Sequence, residues 1–225
     1  MGRPARVVAG GLVYHVLNRA NGGIDLFRHD GDFAAFEDIV AEACGRIPMR
    51  LLDYSLMPTH WHFVLWPPGD GHLSDFVKWI TLTHTQRWHV YRENVGSGHI
   101  YQGRFKSFIV EEDEHFLTVC RYVVRNPLRK GLVQRAEDWR WSSLWRRLHP
   151  GASTGPPLAD WPVPMPYDLR GWVNVPLSDG ELAALRNSVR RGTPFGARTW
   201  AQGIADQFGL ALERSRRGRP RGRRP

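Results

Sequence analysis

The order of hydrophobic periodicities along this 225-residue chain predicts an α+β fold, an antiparallel sheet packed against helices. Three observations carry that expectation. Short stretches rich in β-branched and aromatic residues alternate with longer stretches whose apolar residues recur every three or four positions. Two of the short stretches are separated by little more than Met57-Pro58, a tight link that suggests a hairpin. The resulting order of strand, helix, strand, strand, helix, strand, helix is that of a split βαβ sheet, the ferredoxin-like arrangement, with one added helix.

Each element has its own warrant. Residues 11–19 have the β-branched and aromatic content of a first strand, and Gly22 and Gly23 close it with a loop. Over 30–45, Phe33, Phe36, Ile39, Val40 and Ala43 fall at helical spacing, with acids near the start and Gly45 near the end. Residues 50–56 read as a second strand. The stretch 59–66 lies between Pro58 and Pro67, which cannot continue a ladder, so a third strand is expected there. A long helix is predicted over 73–91, a fourth strand over 104–111 and a further helix over 113–126.

Beyond this core, 150–176 is dense in Pro, Gly and Ser and reads as a linker or a meandering cover, with Trp139, Trp141 and Trp145 packing back before it. Ser178-Asp-Gly-Glu181 has capping-box spacing and should open a helix to about 191, followed by a short helix over 197–208. The last stretch, 214–225, is almost entirely Arg, Gly and Pro and cannot bury a core. The expected organisation is a main domain over 1–149, a linker over 150–177, a small helical extension over 178–212 and a basic tail over 213–225.

Composition narrows the function. With 42% hydrophobic residues and ten tryptophans the chain can bury a full core. Its net charge of +9 and pI near 10.2 favour a polyanionic partner, with nucleic acid foremost. Neither a signal peptide nor a long apolar run is visible, so no membrane association is expected and the expected location is cytoplasmic, at the nucleoid. Cys44 and Cys120 are the only cysteines and offer neither a disulfide framework nor a cysteine-based zinc site.

Two groups of residues stand out as chemistry. On a strand, His60, His62, Val64 and Trp66 share one side and Trp61, Phe63 and Leu65 the other, so two imidazoles lie close together on one face. They are either hydrogen-bonded structural histidines or a metal-binding pair. On the 113–126 helix, His115, Tyr122 and Asn126 line one edge beside the apolar stripe of Phe116, Val119, Cys120 and Val123. That edge would bring Tyr122 near the strand histidines. Asn126 precedes Pro127, which ends the helix there. Taken singly, Tyr122 reads first as a buried tyrosine on a helix that Asn126 ends.

Jointly these residues resemble a known family. Tyr14-His-Val in the first strand, Met-Pro-Thr-His-Trp-His-Phe-Val from Met57, Gln-Gly-Arg-Phe-Lys around Arg104, and Arg-Tyr-Val-Val-Arg-Asn-Pro-Leu-Arg-Lys-Gly-Leu-Val from Arg121 are similar to the REP-associated tyrosine transposases, relatives of single-strand insertion-sequence transposases and members of the HUH nucleases, Trp61 being the bulky apolar residue between the histidines. The resemblance spans residues 2–148. It implies a nuclease that binds a palindromic, REP-like hairpin and cuts adjacent single-stranded DNA, acting as a monomer or homodimer. It also implies Tyr122 as nucleophile, leaving a 5′-phosphotyrosine, and a divalent ion, Mg²⁺ or Mn²⁺, held by His60, His62 and Asn126. One departure is Asn126 itself, which stands where the insertion-sequence enzymes carry a longer glutamine.

Arg104 and Lys106, with Arg121, Arg125, Arg129 and Lys130, are candidates to track phosphates. Arg219 and Arg221 lie in Gly218-Arg-Pro-Arg-Gly222, which reads either as an AT-hook entering an A·T minor groove or as a polybasic tail. The competing reading from a different class is a non-catalytic nucleic-acid-binding regulator on the same scaffold. It would need exposed aromatics on the central strands, where the histidines are expected instead.

Overall fold

The computed structural model describes residues 7–96, 98–151 and 155–212. Strands β1 (Val13–Arg19), β2 (Arg50–Met57), β3 (His60–Trp66) and β4 (Lys106–Val110) form one sheet in the order β2-β3-β1-β4, every neighbouring pair antiparallel. Helices α1 (Asp30–Arg46) and α2 (His72–Tyr91) cover one face. There Phe36, Ile39, Phe76 and Ile80 meet Tyr14, Val16, Trp61, Phe63 and Leu65 of the two central strands. Helix α3 (Glu114–Val124) covers the other face, seating Phe116, Val119, Cys120 and Val123 on Val13, Val64, Phe108 and Val110. The sheet is therefore apolar on both sides, and the expected α+β split βαβ is the fold observed.

Two boundaries differ in ways that matter for function. The fourth strand begins at Lys106, so Arg104 lies before it and not on a shared strand face with Lys106. Helix α3 stops at Val124, and Asn126 instead opens a separate turn, α4 (Asn126–Arg129). The reason is local: Pro127 has no N–H to donate and its ring disfavours helical geometry at the residue before it.

After α4, α5 (Ser143–Leu148), α6 (Leu169–Asn174), α7 (Asp179–Arg191) and α8 (Arg198–Phe208) complete the described chain. The segments that join these helices cover part of both sheet edges. On the β2 side, Leu56 N–H donates to Trp141 O, Ala159 N–H to Leu51 O and Trp161 Nε1–H to Leu52 O. On the β4 side, Phe195 exchanges backbone hydrogen bonds with Ile109 and Glu111, and from there α7 packs Leu185 on one face while α8 packs Ile204 on the other. Among the described residues no helix is long and apolar enough to cross a membrane.

Candidate active site

The register of the sheet assembles the site. β1 pairs with β3 so that Arg19 lies opposite His60, Leu17 opposite His62 and His15 opposite Val64; β4 places Lys106 opposite Leu17. Directly paired residues share a face, so His15, Arg19, His60, His62 and Lys106 all lie on the side of the sheet that α3 covers. Lys106 is two strand spacings from His62, about 10 Å.

From above, α3 presents Tyr122, whose ring lies 5.9 Å from the His62 ring and 6.3 Å from that of His15, edge-on to both. The His60 and His62 rings are 5.1 Å apart. Tyr122 keeps 6% exposure, His60 7%, His62 3% and Asn126 1%. The tyrosine, the two strand histidines and the asparagine are thus brought together, as their spacings suggested.

Hydrogen bonds give the cluster a direction. Arg129 Nη2 lies 2.7 Å from Asn126 Oδ1. A guanidinium only donates, so the amide atom facing it must be the oxygen. The amide nitrogen then faces His62 Nε2 at 2.8 Å, and His62 Nδ1 lies 2.9 Å from His15 Nε2. His60 Nδ1 is 3.1 Å from the Thr59 hydroxyl.

Burial holds these imidazoles neutral. It lowers the pKa of His15 from 6.5 to about 3. His60 falls to about 4, by burial first and then by the charges of Arg19, Lys130 and Arg129. His62 is driven well below 6.5, again by burial first, with His15, His60, Arg129 and Arg19 adding to it. Neutral rings offer lone pairs to a cation.

Positive charge gathers on this rim. Arg129 stands 5.1 Å from the centre of the Tyr122 ring, and Lys130 beside it is exposed. Arg125 has its pKa lowered by partial burial and by Arg121 and Arg129, a crowding of like charge that an anion would relieve. Arg121 is engaged within the protein, donating to Glu181 Oε1 at 3.0 Å and lying 5.5 Å from the Trp172 ring. Arg104 is exposed on the loop before β4. Arg219 and Arg221 lie outside the described residues.

His115 belongs elsewhere. Its Nδ1 is 2.9 Å from Asp113 at the start of α3, seven residues before Tyr122. Glu111, Asp113 and His115 bring possible ligand atoms within 4.8 Å of one another. Two of them already have structural work: Asp113 caps α3, and Glu111 accepts from Ala197 N–H at 2.6 Å. Two surface depressions, one lined by residues such as Glu181 and Phe195 and one by Arg28 and Tyr91, do not include His60, His62 or Tyr122.

Two residues escaped the sequence reading, His15 and Arg19. Strand alternation places them on one face of β1, but only the register shows that this is the histidine face.

Comparison with known proteins gives the family. The family described as Transposase IS200 like matches residues 9–126, more than half of the chain and a span that runs from before His15 to Asn126. The chain belongs to the IS200-like transposase family. The narrower resemblance, to REP-associated tyrosine transposases, is also borne out. A candidate REP-associated tyrosine transposase of Haemophilus influenzae is 21% identical over 119 residues, covering 49% of this chain and 68% of that protein. A solved REP-associated tyrosine transposase bound to a REP hairpin aligns with TM-score 0.56 at 20% identity, over 71% of this chain and 100% of its own, which speaks for a common fold.

Proposed function

We propose that the protein is a hairpin-dependent single-stranded DNA endonuclease and strand transferase, in which Tyr122 attacks a phosphodiester beside a folded palindrome. The observation that carries this reading is the Tyr122 ring 5.9 Å from His62, with Arg129 close to both. In the reaction the Tyr122 oxygen forms a bond to phosphorus while the bond from phosphorus to the 3′-oxygen breaks. The products are a 5′-phosphotyrosine and a 3′-hydroxyl, with the phenolic proton passing to solvent and the departing oxygen taking one up. Because the bond is exchanged rather than hydrolysed, the strand can be rejoined.

The residues fit a divalent ion. His60 and His62 supply neutral imidazoles, and Asn126 supplies an amide whose oxygen must first turn away from Arg129. Mn²⁺ or Mg²⁺ in that place would provide Lewis-acid stabilisation of charge on the phosphate oxygens. Arg19, Lys106, Arg125, Arg129 and Lys130 would hold the strand through its phosphates. Arg104 and the tail residues Arg219 and Arg221 would extend that contact, whereas Arg121 is committed to Glu181. A REP hairpin is the ligand of the solved relative, and a comparable hairpin with an unpaired flank is the substrate we assign here. Residues 1–149 would form the nuclease unit, with 178–212 as a helical extension and 213–225 as a basic tail.

The test is to incubate labelled hairpin-bearing single strands with the full chain in Mn²⁺ or in EDTA, beside His60→Ala and His62→Ala. Cleavage is expected with Mn²⁺ only, and each variant should lose about 100-fold or more, since one ring cannot hold the ion alone. Tight hairpin binding with no cutting under any metal would favour the non-catalytic regulator.

A further inference from the structure

β1 buries His15 completely, between the rings of His62 at 5.1 Å and Phe108 at 4.8 Å. Its Nε2 contacts His62, but its Nδ1 is buried with no hydrogen-bond partner among the described residues. A side chain wanted only for volume would be apolar here, because an unpaired buried N–H is unfavourable and a Phe or Leu would incur no such penalty. The polar atom that repays its place is therefore Nε2.

The polarity of that contact follows from the far end of the chain of hydrogen bonds. Arg129 fixes the Asn126 oxygen toward itself, so Asn126 presents N–H to His62 Nε2, which must accept. A neutral imidazole that accepts at Nε2 carries its proton on Nδ1, and that proton can go only to His15 Nε2. The opposite polarity would set two N–H groups against each other, either at His62 and Asn126 or, with the amide turned over, at Asn126 and Arg129.

We propose that His15 is a positioning residue that holds His62 in the tautomer with an unprotonated Nε2, the form a divalent cation needs once the Asn126 amide turns. The inference rests on the metal-assisted reading above. Its role parallels the groups that orient metal-bound histidines from behind, whose loss commonly weakens metal affinity 10- to 100-fold. The acceptor here is a second imidazole in place of the usual carboxylate or backbone carbonyl. An uncharged acceptor suits the place, because a carboxylate there would be buried without a cation touching it.

The direct test is long-range ¹H–¹⁵N correlation of the full-length, metal-free protein, which reads which nitrogen of His62 carries the proton. Protonated Nδ1 is expected; protonated Nε2 would overturn the proposal. Two variants then separate positioning from packing. His15→Leu keeps volume without an acceptor and should weaken Mn²⁺ binding by about 10- to 100-fold. His15→Gln restores an acceptor and should recover most of that affinity. Both should bind hairpin DNA in EDTA as the parent does. Undiminished Mn²⁺ binding by His15→Leu, or an equal loss in His15→Gln, would contradict the role; if the leucine variant fails to fold, the parent's tautomer and the glutamine variant still decide. A parent protein that shows the expected tautomer yet never cuts DNA would sink the proposed function and leave this assignment standing.

Discussion

Asn126 Oδ1 accepts from Arg129 at 2.7 Å, and this one bond turns the amide so that its nitrogen, not its oxygen, faces His62. Arg129 thus opposes a cation twice, by its own charge and by holding away the oxygen that would ligate it. Arg129→Met should bind Mn²⁺ several-fold more tightly in the absence of DNA, a modest gain of the size expected for removing one partly screened like charge. The same variant should bind hairpin DNA less tightly, with a salt slope shallower by about one phosphate contact. Titration calorimetry with Mn²⁺ and with DNA checks both signs. Weaker Mn²⁺ binding would mean that Arg129 supports the site instead of restraining it.

Acid should destabilise the fold through its buried histidines. Burial lowers the pKa of His15 and His84 to about 3, that of His60 to about 4, and that of His62 well below 6.5. Between pH 6.5 and about 4 the unfolded chain binds protons that the folded chain refuses, so this contribution is complete above pH 6.5 and is lost as pH falls through that window. Asp53, raised by burial to about 6, works in the other direction and offsets part of the loss. Urea unfolding in EDTA at pH 7, 6 and 5 should show stability falling, with a net uptake of roughly two to three protons on unfolding near pH 5. A flat profile would contradict neutral, enclosed rings.

Much of this was legible in the sequence where the signal is local. Prolines at 58 and 67 bound the histidine strand, alternation sets His60 and His62 on one face, and Asn126 before Pro127 marks the end of the helix. Long-range relations were not legible. His15 and Arg19 join the site only through the pairing of β1 with β3, and one residue of slip would send both to the opposite face. The Arg121–Glu181 pair links residues sixty positions apart, so Arg121 looked like one more phosphate contact. The Pro- and Gly-rich stretch after 150 has no periodicity, yet Leu158, Trp161 and Val163 pack on the core, because irregular backbone can bury side chains without announcing it in a pattern.

The capping box of α7 is complete: Ser178 Oγ accepts from Glu181 N–H, and the Glu181 carboxylate accepts from Ser178 N–H at 2.7 Å. Glu181 also holds Arg121 of α3. Ser178→Ala should cost about 1 kcal/mol, a fall in Tm of about 2–4 °C for a chain of this size. The rate of DNA cleavage should not change, since the bond α7 makes to α3 is the one between Glu181 and Arg121, not one to Tyr122. A large loss of cleavage with normal stability would show that α7 takes part in the chemistry.

The most direct measurement of the central claim compares the parent protein with Tyr122→Phe on a hairpin-bearing single strand in Mn²⁺. The substitution removes one oxygen and keeps the ring that packs beside His62. The parent should yield a denaturation-resistant protein–DNA adduct that mass spectrometry places on Tyr122, whereas Tyr122→Phe should bind the hairpin comparably and yield neither adduct nor cut strand. Cutting by Tyr122→Phe at the parental rate would assign the attack to water or to another residue and contradict the tyrosine mechanism.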